Sequence, residues 1–198
     1  SREGPPHRAA PGRIGGRTPP AAMNIAVFCG ARVGSDPTYG IRAREMGRAI
    51  AMRGMGVVFG GGQVGLMGMV ADAALQAGGK VIGVIPGFMV EKELAHQHLT
   101  ELIVVRDMHE RKQRMYERCQ AVVALPGGFG TLDELFEFLT WRQLGLHTKP
   151  IGLLNVNDLY SPLIEQAARM EREGFLHGDR RIIVEPTVDA LLDALVAG

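Results

Sequence analysis

From Asn24 to Val196 the chain alternates short apolar runs with longer helical stretches, and this alternation restricts the fold more than any other feature. The runs are Asn24–Cys29, Gly56–Phe59, Lys80–Ile85, Leu102–Val105, Ala121–Leu125, Ile151–Leu154 and Ile182–Val184. Few of them alternate apolar with polar residues, which is how strands read when both faces of their sheet are covered. Helical periodicity occupies Pro37–Arg53, Leu66–Gln76, Met108–Cys119, Leu132–Leu144, Leu159–Glu173 and Val188–Val196. Repeated strand–helix units predict an α/β fold: a Rossmann-like, doubly wound, mostly parallel sheet of about seven strands with helices on both faces. Residues 23–198 read as a single nucleotide-binding catalytic domain, with no internal repeat and no linker.

Residues 1–22 are different in character: rich in Arg, Pro and Gly, without apolar periodicity. They lack the apolar core of a secretion signal. Met23 reads as the natural start, and the leader as disordered or an expression remnant. The leader carries four arginines against one glutamate in a chain of net charge +1, so the body has no basic excess and nucleic acid is not an expected partner. No apolar run approaches bilayer length, so no membrane association is expected either. Cys29 and Cys119 show neither metal-type spacing nor a disulfide framework, which suits a reducing, cytoplasmic setting.

Four strands end in glycine turns: Gly30-Ala31, Gly60-Gly61-Gly62, Pro86-Gly87 and Pro126-Gly127-Gly128-Phe129-Gly130-Thr131. In an open parallel sheet these turns gather on one edge, where ligands bind. The last runs straight into the helix expected from Leu132. The unpaired N–H groups and positive dipole end of that helix fit Gly128–Thr131 to an anion such as phosphate. The dinucleotide fingerprint is absent after the first strand, and no Gly-Lys-Ser/Thr follows any glycine turn, which removes the main support for NAD binding and ATP hydrolysis.

Thr131-Leu-Asp-Glu134 has the form of a capping box, in which Glu134 returns to the helix start. The same placement sets a carboxylate beside a phosphate-binding turn, where it can stabilise a sugar cation or activate water. Both readings stand on the pattern alone. Upstream, Met108-His-Glu-Arg-Lys112 offers the planar fork of Arg111 and the point charge of Lys112. His96-Gln-His98 has a strand-like spacing for two metal ligands but no evident third, so no metal is expected.

Together, Gly60-Gly-Gly62, Gly65-Leu-Met-Gly68, Met108-His-Glu-Arg-Lys112 and Pro126-Gly-Gly-Phe-Gly-Thr-Leu-Asp-Glu134 closely resemble the Lonely Guy family of cytokinin riboside 5′-monophosphate phosphoribohydrolases, many long mislabelled as lysine decarboxylases. The resemblance runs from Met23 to the C-terminus. It implies a Rossmann-like homodimer that releases free base and ribose 5-phosphate from adenosine 5′-monophosphates, often N6-prenylated, without a redox cofactor. It implies Arg111 and Glu134 as the catalytic pair. Glu93, Lys112, Gly128, Phe129, Gly130 and Thr131 would contact the nucleotide, and Gly61, Gly62 and Met67 would shape the pocket.

Two alternatives remain beside this. One is a nucleotide-binding or carrier protein of the same fold that performs no chemistry. The other is a pyridoxal-dependent decarboxylase, for which Lys112 lacks a surrounding motif. The homodimer also has a basis in pattern: Leu132, Leu135, Phe136 and Leu139 form one apolar stripe, and Phe138 and Trp141 lie off it. A helix apolar on more than one side is covered twice, by a second subunit or by the C-terminal helix.

Overall fold

The computed structural model describes residues 23–90, 92 and 95–197. The leader and Glu93 therefore lie outside the described residues. Seven parallel strands form one sheet in the order β4-β3-β2-β1-β5-β6-β7. They are β1 (Asn24–Phe28), β2 (Gly56–Phe59), β3 (Val81–Pro86), β4 (Glu101–Val105), β5 (Ala121–Ala124), β6 (Ile151–Leu154) and β7 (Ile183–Glu185). Among the described residues six α-helices accompany them, five joining successive strands and α6 following β7: α1 (Pro37–Met52), α2 (Gly65–Gln76), α3 (Met108–Arg118), α4 (Phe129–Gln143), α5 (Ser161–Arg172) and α6 (Val188–Ala197). The fold class expected from the sequence is the fold found.

Side-chain alternation divides β1 between two cores. Ile25 and Val27 face a layer that holds Met46 and Ile50 of α1, Val70 of α2 and Leu191 and Leu195 of α6. Ala26 and Phe28 face the opposite layer, with Met115 of α3 and Leu135 and Phe138 of α4. Every residue of β2, β3, β5 and β6 is buried, as the non-alternating runs predicted. Within the first layer α1 and α2 pack main chain to main chain, because a Cβ on Gly47 would collide with the Val70 carbonyl.

Helix starts differ from the sequence reading in one place that affects the site. Helix α4 begins at Phe129, with Gly128 as its N-cap and no side-chain cap. Thr131 is thus inside the first turn and Glu134 in the second, so the Thr131–Glu134 pair is not a capping box. A side-chain cap of that kind opens α3 instead. Asp107 accepts the Glu110 N–H at 2.8 Å, and the Glu110 carboxylate reaches back to the Arg106 N–H at 2.9 Å.

The buried face of α4 is also not the expected stripe. Leu135 and Phe138 are buried, while Phe136 is 40% exposed. Phe138 meets Phe28 at 5.1 Å between ring centroids, with Tyr116 and Trp141 completing an aromatic group. Coverage of α4 by the C-terminal helix does not occur, because α6 packs on α1, β6 and β7 in the other layer.

Phe138→Ala is expected to lower unfolding free energy by about 3–5 kcal/mol, against about 1 kcal/mol or less for Phe175→Ala at an exposed position, both read from denaturant midpoints.

Candidate active site

Strand order reverses at β1, which pairs with β2 on one side and β5 on the other. Crossover helices leave to opposite faces there, and a crevice opens outside the carboxyl ends of the two strands. Its floor is made of main chain. Gly30 N donates to Pro126 O at 3.0 Å, and Leu66 N donates to Gly30 O at 3.0 Å. Gly65, at φ +68°, lies so close that a Cβ would collide with Ala31. Only glycine allows three strand–helix turns to approach this closely. A cavity of about 530 Å³ opens over the floor, lined by Cys29–Ser35, Tyr39, Leu66, Met67, Arg111, Pro126–Gly128, Gly130, Thr131, Glu134 and Leu159.

The start of α4 forms one wall. Its first helical hydrogen bond runs from Leu132 N to Gly128 O at 3.1 Å. The N–H groups of Phe129, Gly130 and Thr131 therefore have no acceptor within the helix, and the dipole adds positive potential there. The glycines differ in what they permit. A Cβ on Gly127 would collide with the Thr131 side chain, whereas one on Gly128 or Gly130 meets nothing within 4 Å. Neither of the last two has positive φ. Chain packing accounts for glycine at 127 but not at 128 and 130. A Cβ at 128 or 130 would project into open space, and both residues line the cavity.

Two buried charges line the same cavity. Glu134 is 9% exposed and Arg111 is 4% exposed. The Arg111 guanidinium is held in a fixed plane: Nε donates to Val84 O at 3.0 Å and Nη2 to Gly60 O at 2.6 Å. The sulfurs of Met89 and Met108 flank Nη1 at 3.8 Å. Gly60 leaves room for this group, since a Cβ there would collide with Nη2. Cys29 lies near Glu134 in the cavity wall. Burial first, and the Glu134 carboxylate second, push its thiol well above the ordinary range. Cys29 is thus an uncharged SH at neutral pH and not a thiolate nucleophile.

The remaining sequence candidates are dispersed. Met67, Gly128, Gly130 and Thr131 line the cavity with Arg111 and Glu134. Phe129 is 94% exposed, so only its main chain belongs to the α4 wall. Lys112 lies outside the cavity, its ammonium bound by Asp133 at 3.2 Å and by Glu137. Burial opposes its charge, but those hydrogen bonds outweigh burial and hold its pKa above the ordinary lysine value. A Schiff-base lysine needs the neutral amine, so this environment runs against the decarboxylase chemistry. Gly61 and Gly62 lie under the segment after β3: Gly61 O accepts from His96 N at 3.0 Å, and Gly62 bridges to Ala95. His96 clamps that segment, with Nε2 on Asp72 at 2.8 Å and Nδ1 accepting the His98 N–H at 3.2 Å. Both ring nitrogens are occupied, and among the described residues no His, Cys, Asp or Glu cluster is placed to hold a metal. Arg32, Tyr39 and Leu159 line the cavity without having been singled out from the sequence. The glycine turn after β1 was the available signal for Arg32. Leu159 carried none.

Fold and site together define a Rossmann-like protein with an anion-suited crevice at the switch point. The profile of a family described as a possible lysine decarboxylase matches residues 67–195. A cytokinin riboside 5′-monophosphate phosphoribohydrolase of Rhodococcoides fascians is 52% identical over 158 residues, 79% of this chain and 80% of that protein. A probable enzyme of the same name from Oryza sativa subsp. japonica is 45% identical over 170 residues, 85% of this chain and 76% of that protein. One from Arabidopsis thaliana is 43% identical over 173 residues, 86% and 80% of the two chains. Among solved structures, the molybdenum cofactor carrier protein of Chlamydomonas reinhardtii shares the fold with a TM-score of 0.68 at 24% identity, covering 89% of this chain and 99% of its own. The molybdenum cofactor binding protein of Rippkaea orientalis does so at 0.67 and 22%, covering 89% and 97%. The chain belongs to the Lonely Guy family of cytokinin riboside 5′-monophosphate phosphoribohydrolases.

Gly130→Ala is expected to stabilise the free protein by up to about 1 kcal/mol, because it removes helix glycine without a clash. Gly127→Ala is expected to destabilise it by about 1–3 kcal/mol through overpacking. Thermal unfolding of the two variants checks both signs.

Proposed function

We propose that this chain hydrolyses the N-glycosidic bond of adenosine 5′-monophosphates, unmodified or N6-prenylated, releasing the free base and ribose 5-phosphate. The observation that carries the proposal is one cavity that places the amide-rich start of α4 and the buried carboxylate of Glu134 together, the carboxylate one turn further along the same helix. Membership of the family supplies the substrate class.

In this reading the main-chain N–H groups of 129–131 hold the 5′-phosphate. Binding energy from that non-reacting group fixes the ribose over Glu134. As the C1′–N bond breaks, its electron pair leaves with the base and positive charge builds on the ribose. The Glu134 carboxylate stabilises that charge. A water molecule adds to C1′, its proton passes to Glu134, and the base takes up a proton as it leaves. Arg111, pinned by two carbonyls, is the fixed cation that orients Glu134 and the polar groups of the substrate. Cys29, Leu66 and Met67 give this part of the cavity an apolar lining, which strengthens the charge interactions within it.

Glu134→Gln keeps the shape and removes the charge. It should lower kcat for adenine release from AMP by at least about a hundredfold while the unfolding midpoint stays within error. Near-normal turnover in that variant would remove Glu134 from the chemistry. Gly130→Ala should raise KM for AMP with little change in kcat.

The chain is also read as a homodimer. Phe136 at 40% exposed, with the half-buried Leu132 and Leu139 on the same helix, supports a second covering surface. Sedimentation velocity should give a dimer for the native protein and a shift toward monomer for Phe136→Glu. An unshifted dimer would move the interface elsewhere.

A further inference from the structure

We propose that Arg32 is the side chain that neutralises the substrate phosphate, and so makes the site select a phosphorylated ribose over a bare one. This deepens the functional reading above and rests on it.

A phosphate monoester carries about −1.5 to −2 charges at pH 7, while a helix N-terminus offers the equivalent of about half a positive charge. Glu134 and Arg111 line the same cavity with opposite charges that offset each other, so the helix start alone leaves about one negative charge of the phosphate unmatched. Among the described residues the cationic side chains lining the cavity are Arg32 and Arg111. The Arg111 Nε and Nη2 are engaged by the carbonyls of Val84 and Gly60 at the floor. Lys112 is engaged by Asp133 and Glu137 outside the cavity. Arg32 makes no hydrogen bond or ion pair with any described residue, and it is exposed at the cavity mouth.

Its position follows from the main-chain contacts of the floor. An ideal Cβ on Gly30 would lie 3.0 Å from Arg32 O and 3.5 Å from Gly127 Cα, so the turn that carries Arg32 lies against the turn that leads into α4. Gly34, at φ +78°, then bends the loop back under Tyr39, whose Cδ2 would lie 2.6 Å from a Cβ there. The loop is thereby kept as a wall of the cavity that the start of α4 also lines. A guanidinium offers the planar fork that pairs with two phosphate oxygens at once, which an ammonium cannot do. Arg32 also borders a second recess of about 680 Å³ formed with Val33, Gly34, Ser35 and Gly65.

The test is calorimetric titration of the full chain and of Arg32→Ala and Arg32→Lys with AMP, ribose 5-phosphate and adenosine, alongside adenine release from AMP. Arg32→Ala should weaken AMP and ribose 5-phosphate by about tenfold or more and leave adenosine within about twofold. In turnover the loss should fall on KM, with kcat within about twofold. Arg32→Lys should recover part of the affinity, since it restores charge without the fork. Unchanged binding of the two phosphorylated ligands would overturn the assignment. So would an equal loss for adenosine, because that marks a distorted pocket. Failure of the native protein to release adenine would count against the hydrolase reading alone, since the binding comparison decides the role of Arg32 without turnover.

Discussion

Main chain meeting main chain at the β1–β5 switch point is the constraint from which the site follows. A Gly30 N–H on Pro126 O and a Leu66 N–H on Gly30 O tie three strand–helix turns into one floor. The approach is possible because side chains are missing where the turns touch, at Gly30, Gly65 and Gly127. With the turns this close, α4 begins at the crevice, and Gly128, Gly130 and Thr131 at its start line the cavity. Any side chain added at the contact points would push the turns apart and draw the positive end of the helix dipole away from the crevice.

Arg111 is almost wholly buried, a costly state for a cation unless its donors are satisfied. Carbonyls from β3 and from the end of β2 help meet that need, so the sheet edge itself orients the guanidinium. Lys112, the next residue, points elsewhere and is held by Asp133 and Glu137 of α4. One helix therefore places adjacent cations in different work: Arg111 in the cavity and Lys112 in fastening α3 to α4.

Much of this was legible in the sequence, and the gaps have physical causes. All seven strands follow from short apolar runs, and so does two-sided burial at β2, β3, β5 and β6, because a strand covered on both faces leaves no alternation; the edge strand β4 is an exception, with Leu102 and Val104 exposed. The glycine turns marked the edge where the cavity opens, because main chains approach closely there only without side chains. The start of α4 was misread because Thr131 and Glu134 imitate a side-chain cap, while the real N-cap, Gly128, has no side chain to announce it. The need for glycine at 60 was hidden because its clash partner, Arg111, is 51 residues away. Leu159 reaches the cavity by way of Asn157 and Asp158, two residues in left-handed conformation at φ 52° and 56°, with Asn157 tied to Asp36 at 3.1 Å. A non-glycine turn of that kind leaves no pattern to read. Arg111 and Glu134 were weak by spacing and became specific only through the family resemblance.

The central claim is that the phosphate lies on the amides at the start of α4 with the Glu134 side chain beside the sugar. A crystal structure of Glu134→Gln grown with AMP tests it most directly. The account predicts phosphate oxygens within hydrogen-bond distance of the N–H groups of residues 129–131, and C1′ of the ribose facing residue 134. A nucleotide bound with its phosphate away from that helix start, or with residue 134 turned from the sugar, would contradict it.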